Sequence, residues 1–301
     1  MIVNHNLRAV SMPLAMIVGA LFCHKLNALE EMSGNMIAPS LIFLMLFITC
    51  CRVDIKRMRF TPLYLWLLAI QLLGSVAVWF ALSKFDIVVA QGAMVCVLAP
   101  IAMAAVVIGG MLGADIEIMA VYTLACHVIT AFAAPFVLHL AGGNNCSLAM
   151  ILSRVAPLLV MPFVAGQFCR LVLKPVGRWV VEHNYLSFYV WLVSLVVIIG
   201  RTTSFILSRG KTEYRSEVIL AAVSLLICLC QFAVGHILGR KYGDRAAGGQ
   251  MLGQKNTVLA VWMAQSFLNP LSSVAPTAYI VWQNLVNSWQ LYIAERKGRG
   301  K

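Results

Sequence analysis

The sequence predicts an all-α polytopic membrane protein of about ten transmembrane helices, and three observations predict it. Of its 301 residues, 61% are hydrophobic and only 11% charged, a balance that no water-soluble domain could present without exposing most of its apolar surface. The apolar residues run in stretches close to the roughly 20 that a membrane span needs. Charged and turn-forming residues gather in short clusters between those stretches, which leaves one membrane domain over 1–301 and no room for an extramembrane one.

In chain order the spans fall near Ala9–His24, Ser33–Cys50, Thr61–Leu82, Val88–Leu112, Ile116–Leu140, Leu148–Leu173, Leu186–Leu207, Val218–Leu238, Ala247–Leu268 and Leu271–Ile293. Arg8 and the apolar run after it have the look of a signal peptide, but the same pattern continues along the chain, so Ala9–His24 reads as the first span. The breaks are marked by Arg52, Lys56, Arg57 and Arg59, by Gly142-Gly143-Asn144-Asn145, by Arg209 to Arg215, and by Asn269-Pro270.

The net charge of +12 does not form a nucleic-acid patch, because Lys and Arg sit between apolar runs, where they set orientation in the membrane. One set of loops holds Arg8, Arg52, Lys56, Arg57, Arg59, Arg170, Lys174, Arg178, Arg240, Lys241, Arg245, Arg296, Lys297, Arg299 and Lys301. The opposite set holds Lys25, Lys84, Arg154, Arg201, Arg209, Lys211 and Arg215. The excess on the first set places both termini in the cytoplasm, with 295–301 as a basic cytoplasmic tail, in a multi-pass protein of the plasma (inner) membrane; the basic stretch from Arg201 to Arg215 is the exception to the rule. Nine scattered cysteines show neither zinc-site nor disulfide spacing and read as small hydrophobes. The sequon Asn145-Cys146-Ser147 is too short a pattern to carry weight.

Dividing the chain at the Gly142–Asn145 loop gives halves of about five spans, 1–141 and 146–294, and an odd number per half inserts the second upside down, as in an inverted repeat. Each half has an interrupted fourth span, at Pro100 and Gly109-Gly110 in the first and at Gly248-Gly249 and Gly253-Gln254-Lys255-Asn256 in the second. Broken helices at matching positions point to a binding site, because freed backbone groups are tolerated in a membrane only where they line a cavity; glycines that serve helix packing are the bland alternative.

All eleven acidic residues fall in or near the expected loops, and Lys255 is the one charge expected inside the membrane, where an uncompensated cation costs roughly 3 kcal/mol or more. Three roles are open to it: a fixed charge that attracts an anionic substrate, a proton carrier, or a plug that hydrogen-bonds unwound carbonyls. His127, in the middle of the fifth span, is either a proton relay or a hydrogen-bonded packing residue. A polar group in the last spans comprises Asn256, Thr257, Gln265, Gln283, Asn284 and Asn287, of which Asn256 and Asn284 are the first candidates for a cavity. Trp66 and Trp79 fall near span ends as interfacial anchors, whereas Trp262 and Trp282 lie deeper. No nucleophile elbow, phosphate-binding glycine loop or HExxH motif is present, so no enzyme is expected.

Gly253-Gln254-Lys255-Asn256 resembles the Gly-Met-Gln-Asn motif of the bile acid:sodium symporter family, and Val281-Trp282-Gln283-Asn284 resembles its Val-Trp-His-Asn. Pro100 to Pro135 is similar to that family's fourth and fifth helices, with Gly113-Ala114-Asp115 at its Lys-Gly-Asp turn, and Gly235 to Gly243 is similar to the end of its eighth. The resemblance implies a panel domain of helices one, two, six and seven beside a core domain in which broken helices four and nine cross, with an organic anion bound between them next to the crossover. It also implies that Asn256 and Asn284 face substrate; Lys255 and Gln283 are read as substrate-binding with them, and Pro100, Gly253 and Gln254 as positions of the crossover and ion sites.

The family's sodium ligands are mostly missing. The Glu that serves both ions aligns with Met251, the Ser-Asn pair of helix four with Ala105-Val106, and the ion-binding Gln with Lys255; only Thr123 keeps an oxygen, with Gln71 as a second candidate. A hard cation needs several oxygen ligands. The expectation is therefore a sodium-independent secondary transporter of a small organic anion, working by alternating access without a cofactor, with Lys255 supplying the charge that sodium supplies elsewhere and with proton coupling through Lys255 or His127 as one form. Its partners are the bilayer and the anion, with no nucleic acid and no obligate protein partner. The alternative is a membrane protein that binds or senses a ligand on a degenerate transporter fold.

Overall fold

A computed structural model describes residues 5–51, 60–102, 104–142, 147–183, 186–208 and 214–299. Arg52, Lys56, Arg57, Arg59, Gly143-Asn144-Asn145, Cys146 of the sequon, Arg209, Lys211 and Lys301 lie outside these residues, as do the side chains of Arg8, Lys297 and Arg299. The described chain is helical throughout: α1 His5–Leu21, α2 Cys23–Met32, α3 Ile37–Cys50, α4 Pro62–Leu82, α5 Ile87–Leu98, α6 Ala104–Met111, α7 Ile116–Gly142, α8 Leu148–Leu171, α9 Lys174–Glu182, α10 Leu186–Ser208, α11 Tyr214–Lys241, α12 Arg245–Gly253, α13 Thr257–Phe267 and α14 Val274–Arg299.

Five helices, in α4, α7, α8, α10 and α11, are each long and apolar enough to cross a membrane, and a sixth span is available if α2 and α3 count as one bent pair. The protein is therefore all-α and membrane-embedded. The expected fourth and ninth spans are each built from two shorter helices, α5 with α6 and α12 with α13.

The chain divides into two compact units, residues 1–52 with 157–214, and 53–156 with 215–301. In the first unit α10 packs against α1, α2 and α3. Small residues permit the approach of α1 to α10: a Cβ on Gly19 would lie 2.6 Å from the Val196 carbonyl oxygen, so only glycine allows the two backbones to meet.

The first span corrects the sequence reading. The polar stretch from Lys25 to Glu31, expected as a loop, is helical in α2, which meets α3 at 87° across a turn. Gly34 and Asn35 form that turn, with φ of 67° and 60°. Glu30 explains why the charges are tolerated. It is fully buried, and its Oε1 accepts hydrogen bonds from the Ala38 N–H at the start of α3 (3.1 Å) and from the Arg201 guanidinium of α10 (3.2 Å). A carboxylate at a helix N-terminus offsets the positive end of the helix dipole, and Arg201 supplies the counter-charge. The basic exception noted at Arg201 is thus an internal ion pair and not a loop charge.

In the second unit α5 lies against α4, α13 and α14, while α12 lies against α4, α6 and α7. Gly248 of α12 meets Gly235 and Gly239 of α11 backbone to backbone, so Gly248-Gly249 is a packing contact within a continuous helix. Gly109-Gly110 likewise lies inside α6, packed on Met119 and Ile116 of α7. The interruptions are at Ala99–Ala102 and Gln254–Asn256.

Removing one partner of the buried Glu30–Arg201 pair leaves an uncompensated charge, so Glu30→Met is expected to lower unfolding stability in detergent by about 3 kcal/mol. The double substitution Glu30→Met with Arg201→Met is expected to lose less than the two single changes added together. Additive losses in a denaturant titration of the four proteins would show that the pair is not coupled.

Candidate functional site

Pro100 sets the first break. It has no N–H to give to the carbonyl four residues back and its ring clashes there, while the preceding residue is pushed to an extended conformation, as Ala99 is at ψ 135°. The last carbonyls of α5 therefore need other donors. Ala99 N–H takes Val95 O, and three side chains take the rest: Gln231 Nε2 donates to Cys96 O (3.3 Å), Lys255 Nζ to Val97 O (3.0 Å) and Gln71 Nε2 to Leu98 O (2.8 Å).

The unwound segment after α5 pairs with the one after α12. Ile101 and Lys255 form an antiparallel bridge, in which Ala102 N–H donates to the Gln254 carbonyl and Asn256 N–H to the Pro100 carbonyl, each at 2.8 Å. The two broken helices cross through this pair of bonds. Lys255 lies at the crossing and is 1% exposed; no described carboxylate pairs with its ammonium, whose one hydrogen bond goes to the negative end of the α5 dipole.

One face of α14 holds the second break in place. Tyr279, Gln283 and Asn287 recur every four residues and so form one stripe. Tyr279 OH donates to Gly253 O (2.9 Å), Gln283 Oε1 accepts from the Lys255 N–H (2.9 Å), and Asn287 Nδ2 donates to Gln254 Oε1 (2.7 Å). Gln250 Nε2 extends the network to Asn287 Oδ1, and Gln231 Nε2 reaches the Tyr279 oxygen. Asn256 caps α13 through Oδ1, which accepts from Leu259 N–H (3.2 Å), whereas its Nδ2 is buried without an acceptor.

No family model matches this chain, and no curated protein matches it. The chemistry of the site rests on its geometry.

The crossover brings together Pro100, Gly253, Gln254, Lys255, Asn256 and Gln283. Gln283 is buried and held by the Lys255 backbone, and Asn284 turns back to its own helix, donating to Ile280 O at 2.6 Å. Ala105 and Met251 are fully buried in one apolar cluster with Ile101, Leu67 and Tyr122, and Val106 packs on that cluster. None of the three has a side-chain oxygen. Thr123 Oγ1 donates to Met119 O (2.8 Å), and Gln71 Oε1 accepts from the Cys126 thiol (3.2 Å). Among the described residues no group of three or more His, Cys, Asp or Glu could hold a metal ion. His127 Nδ1 bonds the Thr123 carbonyl (2.7 Å), which only accepts, so Nδ1 carries a proton and Nε2 is left buried without a partner.

Sequence reasoning missed Gln231, Tyr279 and Gln250. A lone amide in the apolar eighth span and the four-residue spacing of Tyr279, Gln283 and Asn287 were the available signals. Tyr279→Phe removes the donor to Gly253 O and is expected to cost about 1–3 kcal/mol of stability, whereas Asn284→Ala, which breaks only a bond within its own helix, is expected to stay within about 0.5 kcal/mol of the parent. Thermal denaturation of both variants in one detergent checks the contrast.

Proposed function

We propose that this protein is a sodium-independent secondary transporter of a small organic anion, similar in plan to the bile acid:sodium symporters. The observation that carries the reading is the placement of Lys255: a buried ammonium at the crossing of two broken helices, with a helix C-terminus and, among the described residues, no carboxylate to balance it. A cation so placed attracts an anion to complete its compensation. The N-terminus of α13 and the unpartnered Asn256 Nδ2 are donors suited to a carboxylate or sulfonate.

Further support comes from the architecture. Broken helices are tolerated in a bilayer where they line a path for solute. The breaks fall in the expected fourth and ninth spans, corresponding positions in the two proposed repeats. One compact unit holds the first, second and seventh expected spans and the later part of the sixth, from Pro157 onward, a grouping similar to the panel that the resemblance implies.

Sodium independence follows from the donor set. At the positions aligned with the family's ion ligands stand Ala105, Val106 and Met251, which offer no side-chain oxygen, and Lys255, whose ammonium repels a cation. The Lys255 amino group acts as a tethered ion: it stabilises the crossover permanently and needs no ion gradient to do so. Both termini are assigned to the cytoplasmic side by the distribution of Lys and Arg.

The test is counterflow in proteoliposomes loaded with an unlabelled panel of short-chain and aromatic monocarboxylates and given trace labelled anion outside. Saturable accumulation that is unchanged when choline replaces sodium, and that falls at least tenfold in Lys255→Gln, is the expected result. Accumulation that requires sodium, or none with any anion of the panel, contradicts the proposal.

A further inference from the structure

α9 joins α8 to α10 and has about 14 Å of helix, too short to cross a bilayer. Its inner face is fixed. Gly177 lies against the Cys169 and Arg170 backbone, and Val180 packs with Ile48 and Cys51 of the same unit. The opposite side carries two chemistries side by side. Lys174 and Arg178, one turn apart, are exposed and form no ion pair with a described residue, although Glu182 follows one turn later on the same stripe. Beside them Val176 and Trp179 are 46% and 52% exposed, and Leu171, Val172 and Leu173 leading into the helix are exposed as well.

An apolar flank beside a cationic stripe, with a tryptophan between them, is the composition of a helix lying in the interface of a bilayer. Trp179 stacks on His183, with ring centroids 4.5 Å apart, which holds the indole in one orientation at the C-terminal end of the helix. A neutral lipid would satisfy the apolar flank and leave both cations without a counter-charge. An anionic phospholipid satisfies both: its phosphate and negatively charged headgroup meet Lys174 and Arg178, and its acyl chain lies along Val176, Trp179 and Leu173.

We infer that α9 is a binding site for an anionic phospholipid, with Lys174 and Arg178 holding the headgroup and Trp179 fixing the depth of the helix in the interface. The site lies wholly within the first unit and does not depend on what the crossover transports.

Native mass spectrometry of the purified full-length protein, titrated with dioleoylphosphatidylglycerol or dioleoylphosphatidylcholine, tests the site. The parent is expected to hold phosphatidylglycerol on the order of tenfold more tightly than Lys174→Gln/Arg178→Gln does, with phosphatidylcholine binding the same in both. The charge-preserving pair Lys174→Arg/Arg178→Lys is expected to retain the preference, and glycerol 3-phosphate alone is expected not to compete. In vesicles with brominated acyl chains, quenching of the tryptophan signal is expected to fall on Trp179→Phe. Undiminished phosphatidylglycerol affinity in the double Gln variant, equal affinity for the two lipids in the parent, or full competition by glycerol 3-phosphate would overturn the inference.

Discussion

The second unit depends on one constraint: in the membrane interior every backbone carbonyl released by a broken helix must find a donor within the protein, because each one left bare costs several kcal/mol. Pro100 ends α5 and releases its last carbonyls. Gln71, Gln231 and Lys255, from three separate segments of chain, converge on consecutive carbonyls at that end, so that capping α5 also draws α4, α11 and the segment after α12 together. Two backbone bonds across the Ile101–Lys255 bridge then fix where the broken helices cross, and the Tyr279–Gln283–Asn287 stripe of α14 holds the second break from the other side. The polar network and the apolar cluster around Tyr122 and Met251 are two faces of one arrangement: oxygen and nitrogen atoms gather at the crossing, and its flanks are filled with carbon.

The same electrostatic rule organises the first unit with opposite sign. There an anion, Glu30, meets the N-terminus of α3, and in the second unit a cation, Lys255, meets the C-terminus of α5. Each buried charge is thereby placed where a helix dipole lowers the cost of taking it out of water. The difference lies in compensation. Glu30 has Arg201 as its counter-charge, whereas among the described residues no carboxylate pairs with Lys255, whose ammonium meets a helix C-terminus.

Much of this could be read from the sequence, and the limits have physical causes. Apolar stretches located the helices because hydropathy reports directly on a lipid solvent, and Pro100 marked its break because its missing N–H acts locally. Lys255 stood out because one charge in an apolar run has few explanations. Glycines were ambiguous: Gly248-Gly249 and Gly109-Gly110 suggested breaks but serve close packing against α11 and α7, a distinction that depends on which helix lies alongside. Glu30 was assigned to a loop because its partner is 171 positions away in α10, beyond any local pattern. That the Gln283 side-chain oxygen accepts from the Lys255 backbone depends on the register of α14 against the crossover, which no local pattern carries.

The central claim is that the Lys255 ammonium stands in for a bound cation at the crossover. It is tested most directly by the melting temperature of the purified protein and of Lys255→Gln, each with and without the monocarboxylate panel, in sodium chloride and in choline chloride. The parent is expected to melt at the same temperature in both salts and to be stabilised by at least one anion, and Lys255→Gln is expected to lose the anion effect. A parent stabilised by sodium, or a Lys255→Gln variant that responds to anion as the parent does, would contradict it.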